Sequence, residues 1–321
     1  MEGQHTTVDA RDEQALTAVK LYYEEGLSQA EVAQEMGVSR PTASKLIHHG
    51  KQRGFVTIQI HDPREAGSQL ATDLAAKYRL QDVRLAQVPR GTNTDLLREL
   101  GRAGADVLAD HVRDNMKVGV SWGNTMFAVA QQLAPTDLHG VEIVQLKGGT
   151  SHSQYSTNDI GTIDRFCSAF NAQARTLPLP VIFDNVEAKR IVEQDRHIAR
   201  ILKLGRQTDV VIFTVGAVHP ESLLLNLGYL TKVEVAKLVA NAAGDACSRF
   251  YTASGDIALP SVDERTVGIS LKDLASRPVR ILVAGGVSKT TAIRTALSMG
   301  LATHLVIDQS TAHRVLESAT D

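Results

Sequence analysis

Cysteine, aromatic residues, net charge and long apolar runs are all scarce in this sequence, and each scarcity excludes a class of protein. Its 2 cysteines, Cys167 and Cys247, follow neither a disulfide nor a metal-site spacing, which predicts buried thiols in a reducing cytoplasm. The formal net charge of -2 argues against a uniformly basic surface, so any contact with nucleic acid must be local. The N-terminus lacks an apolar signal core, and no apolar run approaches the ~20 residues of a membrane span. We expect a cytoplasmic protein.

The length of 321 residues predicts about two domains. Apolar residues make up 43% of the chain and aromatics only 4%, as in α/β proteins with Ala-rich helices and Val/Ile-rich strands. The segment HDPR at residues 61–64 interrupts the pattern on either side of it. We therefore predict a first domain at residues 1–60 and a second at residues 61–321, which begins with a linker helix at residues 61–80.

The first domain contains three short helical patterns. Apolar residues recur at helical spacing between Asp12 and Tyr23, up to a glycine stop. Ser28 then precedes Glu31 by three residues, which is a capping box, and Ser39 caps a third helix that has a proline in its first turn. Short helix, glycine-containing turn and short helix form a helix-turn-helix.

The third helix is predicted to contact DNA. Cations and histidines occur between residues 36 and 60 without a single acid, and among them are His49 and Arg53. Residues of the early turns are expected to meet base edges, and Arg40 and Lys51 to meet phosphates. The predicted DNA-binding residues are Ser39, Arg40, Thr42, Ser44, Lys45, His48 and Lys51. The alternative is a solvated basic face on a small structural domain. Residues 55–60 alternate strictly and predict a short strand or wing.

Strands and helices alternate in the second domain, which predicts βαβ units and a mostly parallel sheet with helices on both faces. The predicted strands are residues 83–88, 117–121, 141–146, 210–215, 280–284 and 304–307. The predicted helices are residues 94–112, 125–133 and 290–299. The fold class is thus an N-terminal all-α helix-turn-helix domain followed by an α/β domain.

A glycine-rich turn at residues 119–125 lies between a strand and a helix. In such a turn the backbone amides converge at a helix N-terminus, where the helix dipole favours an anion such as phosphate. Gly123 permits the turn, and Asn124 and Thr125 add side-chain donors. The alternative is an ordinary strand-to-helix turn.

The same turn matches the G-x-S-x-G nucleophile elbow of esterases, with Ser121 as the nucleophile. An acid and a histidine must then follow along the chain. Asp256 or Asp263 could supply the acid and His304 or His313 the base, although none of them has a supporting motif.

Lys147 follows the apolar strand at residues 141–146, at the end where open parallel sheets place their ligands. Gly148 and Gly149 let a ligand approach the backbone. Desolvation would lower the pKa of the lysine and free an amine that could bind phosphate or form a Schiff base with an aldehyde. The alternative is a snorkelling residue at the sheet edge.

A second lysine, Lys289, lies in another glycine-rich strand-to-helix turn. The segment AGGVSKTT departs from a Walker A loop because Ser288 separates the lysine from the glycines, so nucleotide hydrolysis is not expected. The turn still suits a phosphate monoester, or it is a favourable turn with a solvated lysine. Asn158 and Asp245 could bind sugar hydroxyls or serve as turn and cap residues, and Asp308 is typical of an N-cap.

These motifs together resemble the SorC family of bacterial transcriptional regulators along nearly the whole chain. The segments that carry the resemblance, in order, are YYEEGLSQAEVAQEMGVSRPTASKLI, GVSWGNT, VQLKGG, VAGGVSKTTAIRTAL and LVIDQSTA. The resemblance implies a winged or wing-like helix-turn-helix joined to an effector-binding domain related to phosphosugar isomerases and glucosamine-6-phosphate deaminases. It also implies homodimers or homotetramers that release or reshape operator DNA when a phosphorylated sugar binds.

In having a lysine before the Gly-Gly pair, the sequence resembles those members of the family that sense deoxyribose 5-phosphate through a Schiff base. That resemblance implies an imine on Lys147. It also implies that four residues hold the phosphate: Gly123, Asn124, Thr125 and Lys289. Gly148, Asn158 and Asp245 complete the predicted effector site. No cofactor or metal is expected. An imine alone does not make an enzyme, because an aldolase also needs a base placed to move protons, so no enzymatic activity is expected either. The alternatives are a sensor of another sugar phosphate without an imine, and an isomerase-like enzyme or Ser121 esterase.

Overall fold

The computed structural model describes residues 10–56, 63–88, 92–149 and 157–317, with side chains from residue 68 onward in the second range. The chain divides into two compact units, residues 1–63 and 64–321. No helix within the described ranges is long and apolar enough to span a membrane.

The first unit consists of α1 (Ala10–Tyr23), α2 (Gln29–Glu35) and α3 (Arg40–Gln52). The two predicted caps are confirmed: Ser28 and Glu31 form a capping box, and Ser39 Oγ accepts the backbone N–H of Thr42 at 3.3 Å. The three helices share a small core of alanine and aliphatic side chains. The predicted strand at residues 55–60 lies largely outside the described residues, and its first two residues form a bend.

A buried carboxylate joins the first and third helices. Asp12 is 6% exposed, and its two oxygens lie 2.8 Å from His49 Nε2 and 2.8 Å from Arg53 Nη2. The hydrogen bond with His49 is the largest of the effects that lower the pKa of this carboxyl, and Arg53 adds to it. Two of the basic residues that follow α2 in sequence therefore hold the helical unit together.

Gly50 marks the closest approach of α3 to α1. A Cβ at this position would lie 2.5 Å from Val19 Cγ2 and 3.1 Å from the carbonyl oxygen of Ala15. We expect Gly50→Ala to lower the free energy of unfolding by about 1–2 kcal/mol, because the overpacking outweighs the higher helix propensity of alanine. Urea unfolding followed by circular dichroism measures the change. Gln52→Ala, an exposed position of the same helix, is the control, and an unchanged midpoint for Gly50→Ala would contradict this close packing.

Ten strands and eleven further α-helices lie in the described part of the second unit. The strands are β1 (Asp82–Ala86), β2 (Lys117–Val120), β3 (Glu142–Gln145), β4 (Gln173–Arg175), β5 (Val210–Phe213), β6 (Val215–Gly216), β7 (Gly244–Ala246), β8 (Arg249–Tyr251), β9 (Val279–Val283) and β10 (His304–Asp308). The helices are α4 (Pro63–Tyr78), α5 (Asn93–Ala109), α6 (Asn124–Gln132), α7 (Asp159–Phe170), α8 (Val186–Gln194), α9 (Arg196–Gly205), α10 (Lys232–Asn241), α11 (Pro260–Asp263), α12 (Leu271–Ala275), α13 (Thr290–Ser298) and α14 (Gln309–Glu317).

Seven strands form one sheet in the order β1-β10-β9-β5-β2-β3-β4, and every pair in it is parallel. Strands β6, β7 and β8 form a small antiparallel sheet. The mostly parallel sheet is confirmed, and each of the six predicted strands corresponds to one of its strands. The predicted strand at residues 210–215 is too long, because β5 ends at Phe213 and Val215 begins β6 of the second sheet. The short strands β4, β6, β7 and β8 did not emerge from the sequence pattern.

Strand β5 shows why these strands read as continuous apolar runs. Val211 and Phe213 belong to one buried cluster, and Val210 and Ile212 belong to another. Successive side chains of a strand point to opposite faces, so the sheet is buried on both sides, as the VVIF sequence requires.

Strands β2 and β5 lie side by side, but the chain leaves them in opposite directions. After β2 it proceeds outward to β3 and β4, and after β5 it proceeds outward to β9 and β10. The connections therefore diverge at the carboxyl ends of β2 and β5. This topological switch point is where open α/β sheets bind their ligands.

Candidate functional site

A cleft of about 280 Å³ lies at the switch point. The turns after β2, β5 and β9 form part of its wall. Lys147, just beyond the end of β3, and Asp245 of β7 form the rest. Six of the eight predicted effector residues line it: Gly123, Asn124, Thr125, Lys147, Asp245 and Lys289. Four separate parts of the sequence therefore converge on one cavity.

Two helices begin at this cleft without a side-chain cap. Gly123 precedes α6 with φ 130°, a conformation that favours glycine, and Lys289 precedes α13 after a short 3-10 turn. By contrast, α2, α3, α5, α8, α9, α10 and α12 each begin with a polar side chain that accepts a backbone N–H. The first-turn amides of α6 thus remain available to an anion in the cleft. At the start of α13 the backbone N–H of Thr290 already donates to the Val287 carbonyl, so this helix contributes the Lys289 side chain rather than its first amide.

Lys147 is an interior residue. Its side chain is 5% exposed, Nζ donates to Ser248 Oγ at 3.0 Å, and Nζ lies 3.6 Å from the centre of the Trp122 ring. Lys147 follows β3, which lies between β2 and β4 and is not an edge strand. Because the lysine is also buried, the alternative of a snorkelling edge residue is wrong. Burial lowers the pKa of Lys147, and the Asp245 carboxylate opposes that shift. The site therefore favours a neutral amine more than water does.

The backbone beside Lys147 is fixed by a close crossing with Gly268. The two residues form an antiparallel bridge, and Gly268 has φ 130°. A Cβ on Gly268 would lie 2.4 Å from the carbonyl oxygen of Leu146 and 2.7 Å from the Cα of Lys147. Only glycine allows this approach, which sets the direction in which the lysine leaves its strand.

Two further charged groups face the cleft. Asp245 on β7 is 9% exposed, and burial raises its pKa while Lys147 opposes the rise. Lys289 is half-buried; burial lowers its pKa and Asp245 opposes the fall. The two lysines can bind an anion and the carboxyl group of Asp245 can accept a hydroxyl, so the site suits an anion that also bears hydroxyl groups.

Two predicted effector residues do not line the cleft. The Gly148 carbonyl accepts Trp122 Nε1–H at 2.6 Å, so this glycine holds the tryptophan in place. Asn158 precedes α7 in the left-handed conformation with φ 54°, and its carbonyl accepts the hydroxyl of Thr162 at 2.6 Å. The prediction that Asn158 binds sugar rests on its position after the glycine pair in the sequence. Asn158 does not line the cleft, although the charge of the next residue, Asp159, acts on Lys147.

The esterase hypothesis is not supported by the geometry. Ser121 follows the carboxyl end of β2, whereas His304 begins β10 at the opposite end of the parallel sheet. His313 lies on α14 next to β10, which is three strand spacings from β2, about 14 Å. Asp256 accepts a serine hydroxyl in its own turn, and Asp263 is paired with an arginine at 3.0 Å. None of these four candidate residues forms a triad with Ser121. Asp308 caps α14, as predicted, by accepting the N–H of Thr311.

Two residues of the site carried no usable sequence signal. Ser248 contacts Lys147 from 101 positions away in the chain, and His219 lines the cleft from the segment that follows β5. Trp122 did stand out as the single tryptophan, but its contact with the lysine depends on the packing of β2 against β3. Within the ranges that the structure describes, no group of three His, Cys, Asp or Glu residues could hold a metal ion.

The predicted DNA-contacting residues share one side of α3. Ala43, Leu46, Ile47 and Gly50 form its buried side. Six of the seven predicted residues are exposed, and Ser44 is half-buried. The hydroxyls of Ser39 and Thr42 lie 2.8 Å apart at the beginning of the helix. The helix thus packs with one face and presents a polar, basic face to solvent.

Comparison with known proteins agrees with both parts of this description. Residues 62–317 match the family described as "Putative sugar-binding domain", and residues 12–53 match sigma-70 region 4. The chain is 43% identical over 308 residues to the deoxyribonucleoside regulator of Bacillus subtilis strain 168, covering 95% of this chain and 98% of that protein. It is 28% identical over 312 residues to the transcriptional regulator LsrR of Escherichia coli K12, covering 96% and 95%.

Solved structures give the same result. The full-length sorbitol operon regulator SorC of Klebsiella pneumoniae superposes with a TM-score of 0.71 at 25% identity, covering 96% of this chain and 100% of that one. A transcriptional regulator from Streptococcus pneumoniae TIGR4 gives 0.74 at 25% identity, covering 80% and 98%. These relatives are named as regulators rather than as enzymes. The chain therefore belongs to the SorC family of transcriptional regulators and combines a DNA-binding helix-turn-helix with a sugar-binding domain.

Proposed function

We propose that this regulator represses genes of deoxyribonucleoside or related pentose catabolism and is relieved by deoxyribose 5-phosphate, which forms a Schiff base with Lys147. One observation carries the proposal: a buried amine lines a cleft that also presents the N-terminus of α6, which has no side-chain cap, and the side chain of Lys289. An anion site and a buried amine in one small cavity suit a ligand with phosphate at one end and an aldehyde at the other.

The proposed arrangement assigns each end of the sugar to different residues. The phosphate binds the first-turn amides of α6, the side chains of Asn124 and Thr125, and the Lys289 ammonium. The open-chain aldehyde then reaches Lys147, and Asp245 accepts a sugar hydroxyl. A volume of about 280 Å³ is close to the lower limit for ligand pockets and fits a five-carbon sugar phosphate better than a nucleotide.

Regulation requires that the sugar bind the DNA-incompetent arrangement more tightly than the DNA-competent one. A tenfold preference changes the balance by only ~1.4 kcal/mol per site. Assembly as a homodimer or homotetramer multiplies the effect, because several sites act on one operator complex. Two-fold symmetry also predicts a pseudo-palindromic operator with half-sites about one helical turn, or a multiple of it, apart.

Reduction with borohydride in the presence of deoxyribose 5-phosphate tests the proposal. The expected result is one sugar-phosphate adduct per chain, mapped by mass spectrometry to the peptide with Lys147, at sugar concentrations that release the operator. Operator release without an adduct would mean that the cleft senses a sugar phosphate and that Lys147 acts only as a charge. Turnover of a phosphosugar without operator binding would instead favour an isomerase-like enzyme.

Lys289 gives a prediction for the phosphate end. Lys289→Ala is expected to raise the deoxyribose 5-phosphate concentration for half-maximal operator release by about 10- to 100-fold, because one charge-assisted hydrogen bond is lost. Trapping of unphosphorylated deoxyribose should stay unchanged, since that sugar has no phosphate to lose. Lys272→Ala, at an exposed lysine of the same unit, is the matched control. Equal losses with both sugars would contradict a phosphate contact.

A further inference from the structure

The turn that contacts the Lys147 amine has a strained backbone. Strands β7 and β8 pair antiparallel, with Ala246 opposite Arg249, and only Cys247 and Ser248 connect them. Both residues have positive φ, 50° and 66°. Two-residue hairpin turns of this kind usually contain asparagine, aspartate or glycine, because other side chains are strained in the left-handed region. A cysteine and a serine in these two positions are therefore unfavourable for the turn itself.

The turn places a hydroxyl where solvent cannot reach it. Ser248 is 0% exposed, its Oγ accepts Lys147 Nζ–H at 3.0 Å, and its backbone N–H donates to Asp245 Oδ2 at 3.1 Å. On another side of the amine, the Trp122 ring centre lies 3.6 Å from Nζ, and the Trp122 indole is fixed by its bond to the Gly148 carbonyl. The amine is thus held between a hydroxyl and an aromatic face.

We infer that Ser248 is a positioning residue for the lysine: it accepts one N–H of Nζ and so directs the nitrogen lone pair toward the cleft. This inference rests on the proposed Schiff base. A lysine side chain has four rotatable bonds, and attack on a carbonyl carbon needs the lone pair aligned with it. A fixed acceptor on one side and an aromatic face on another leave the cleft as the direction open to that lone pair. Strain at such a turn is typical of functional sites.

Formation of the imine between Lys147 and the aldehyde needs no further reagent. Nζ adds to C1 of the open-chain aldehyde to give a carbinolamine, and the C–O bond then breaks as the C=N bond forms. The two hydrogens of the neutral amine leave with the carbonyl oxygen as one water molecule. Nothing is oxidised or reduced until borohydride is added, which then delivers hydride to the imine carbon. Ser248 accepts a hydrogen bond throughout the approach and forms no covalent bond.

A hydroxyl acceptor also changes the proton affinity of the amine. The groups that act on Lys147 are Asp245 and Cys247 on the hairpin and Asp159 on α7, in addition to burial itself. An acceptor stabilises the ammonium more than the neutral amine, because charge-assisted hydrogen bonds are stronger. Loss of the Ser248 hydroxyl should therefore lower the pKa of Lys147 further, so the pH dependence of imine formation should move to lower pH.

The test measures the rate of reductive trapping of deoxyribose 5-phosphate by the full chain, with cyanoborohydride, between about pH 6 and 10. For Ser248→Ala and Ser248→Gly we expect a plateau rate roughly tenfold lower, equivalent to one hydrogen bond, and a midpoint at lower pH. Ser276→Ala, an exposed serine of the same unit, should match the wild type in both rate and midpoint.

The two Ser248 variants separate positioning from packing. Glycine relieves the positive φ and alanine does not, so Ser248→Gly should melt about 2–4 °C above Ser248→Ala although both trap sugar equally slowly. A purely structural role predicts that rate and stability change together and that the pH midpoint stays fixed. Wild-type rate and midpoint in both variants would overturn the inference and leave the Schiff base intact. Absence of an adduct on the wild-type chain would overturn the Schiff base and, with it, the inference.

Discussion

Lys147→Met is expected to abolish reductive trapping of deoxyribose 5-phosphate completely. Methionine fills a similar volume without an amine, so the variant removes the nucleophile while leaving the wall of the cleft in place. Half-maximal operator release should then need roughly 100-fold more sugar phosphate, equivalent to about 2.7 kcal/mol, because only the phosphate and hydroxyl contacts remain. Operator affinity without sugar should not change, since Lys147 belongs to the sugar-binding unit. Intact mass and operator titration measure the two effects.

The same substitution has an expected effect on stability that depends on pH. Burial lowers the pKa of Lys147 below its ordinary value of 10.5 in the folded chain. Between the folded and the unfolded pKa the unfolded chain binds more protons, so this lysine makes the free energy of unfolding rise as pH rises through that window and fall as pH falls. Lys147→Met removes this dependence. The stability of the variant relative to the wild type should therefore increase as pH is lowered from about 10.

Lys272→Met is the matched control for both measurements, because this lysine is exposed in the same unit. It should keep full trapping, full operator release and the wild-type pH dependence of unfolding. An adduct that survives Lys147→Met would mean that another amine reacts, and Lys289 would be the next residue to replace. Loss of trapping with unchanged sensitivity of operator release would show that the imine forms but does not regulate.

Much of the fold follows from local features of the sequence. The capping residues Ser28 and Ser39 act within one helical turn, so their pattern is complete in the sequence. Strands such as β5 are short apolar runs because both faces of the sheet are covered, and that burial shows in every residue of VVIF. The turns at Gly123 and Lys289 can be predicted because each is a glycine-rich connection between an apolar strand and a helix, a pattern that is local in the sequence.

The rest depends on contacts between distant parts of the chain. The sequence around Lys147 could not show whether the lysine reaches solvent, because its surroundings include Ser248 and Gly268, which lie far from it in the sequence. The β7-β8 hairpin lacks the usual turn residues, so neither the strands nor the contact of Ser248 with the lysine could be predicted. The prediction for Asn158 rests on its closeness in sequence to the glycine pair, but the residue has a left-handed backbone at the start of α7 and does not line the cleft.

Lys45→Ala is expected to weaken operator binding by about 1–3 kcal/mol, or roughly 5- to 150-fold, and to relax the preference for operator over unrelated DNA. Lys45 is exposed in the first half of α3, the part of a recognition helix that meets base edges. The slope of log affinity against log salt should also fall by about one for each subunit bound. Thermal stability should stay at the wild-type value, so the loss cannot be attributed to unfolding.

Lys20→Ala separates specific contact from net charge. Lys20 is exposed on α1, in the same unit, and its replacement by alanine removes the same charge as Lys45→Ala does. If α3 enters the groove, Lys20→Ala should leave the operator preference unchanged and alter affinity only slightly, through long-range attraction that salt screens. Equal losses from both variants, on operator and unrelated DNA alike, would mean that the basic face of α3 attracts DNA without reading it. If Lys45→Ala loses the preference for the operator and Lys20→Ala keeps it, the Lys45 side chain must contact base edges, because phosphates are the same in every DNA sequence.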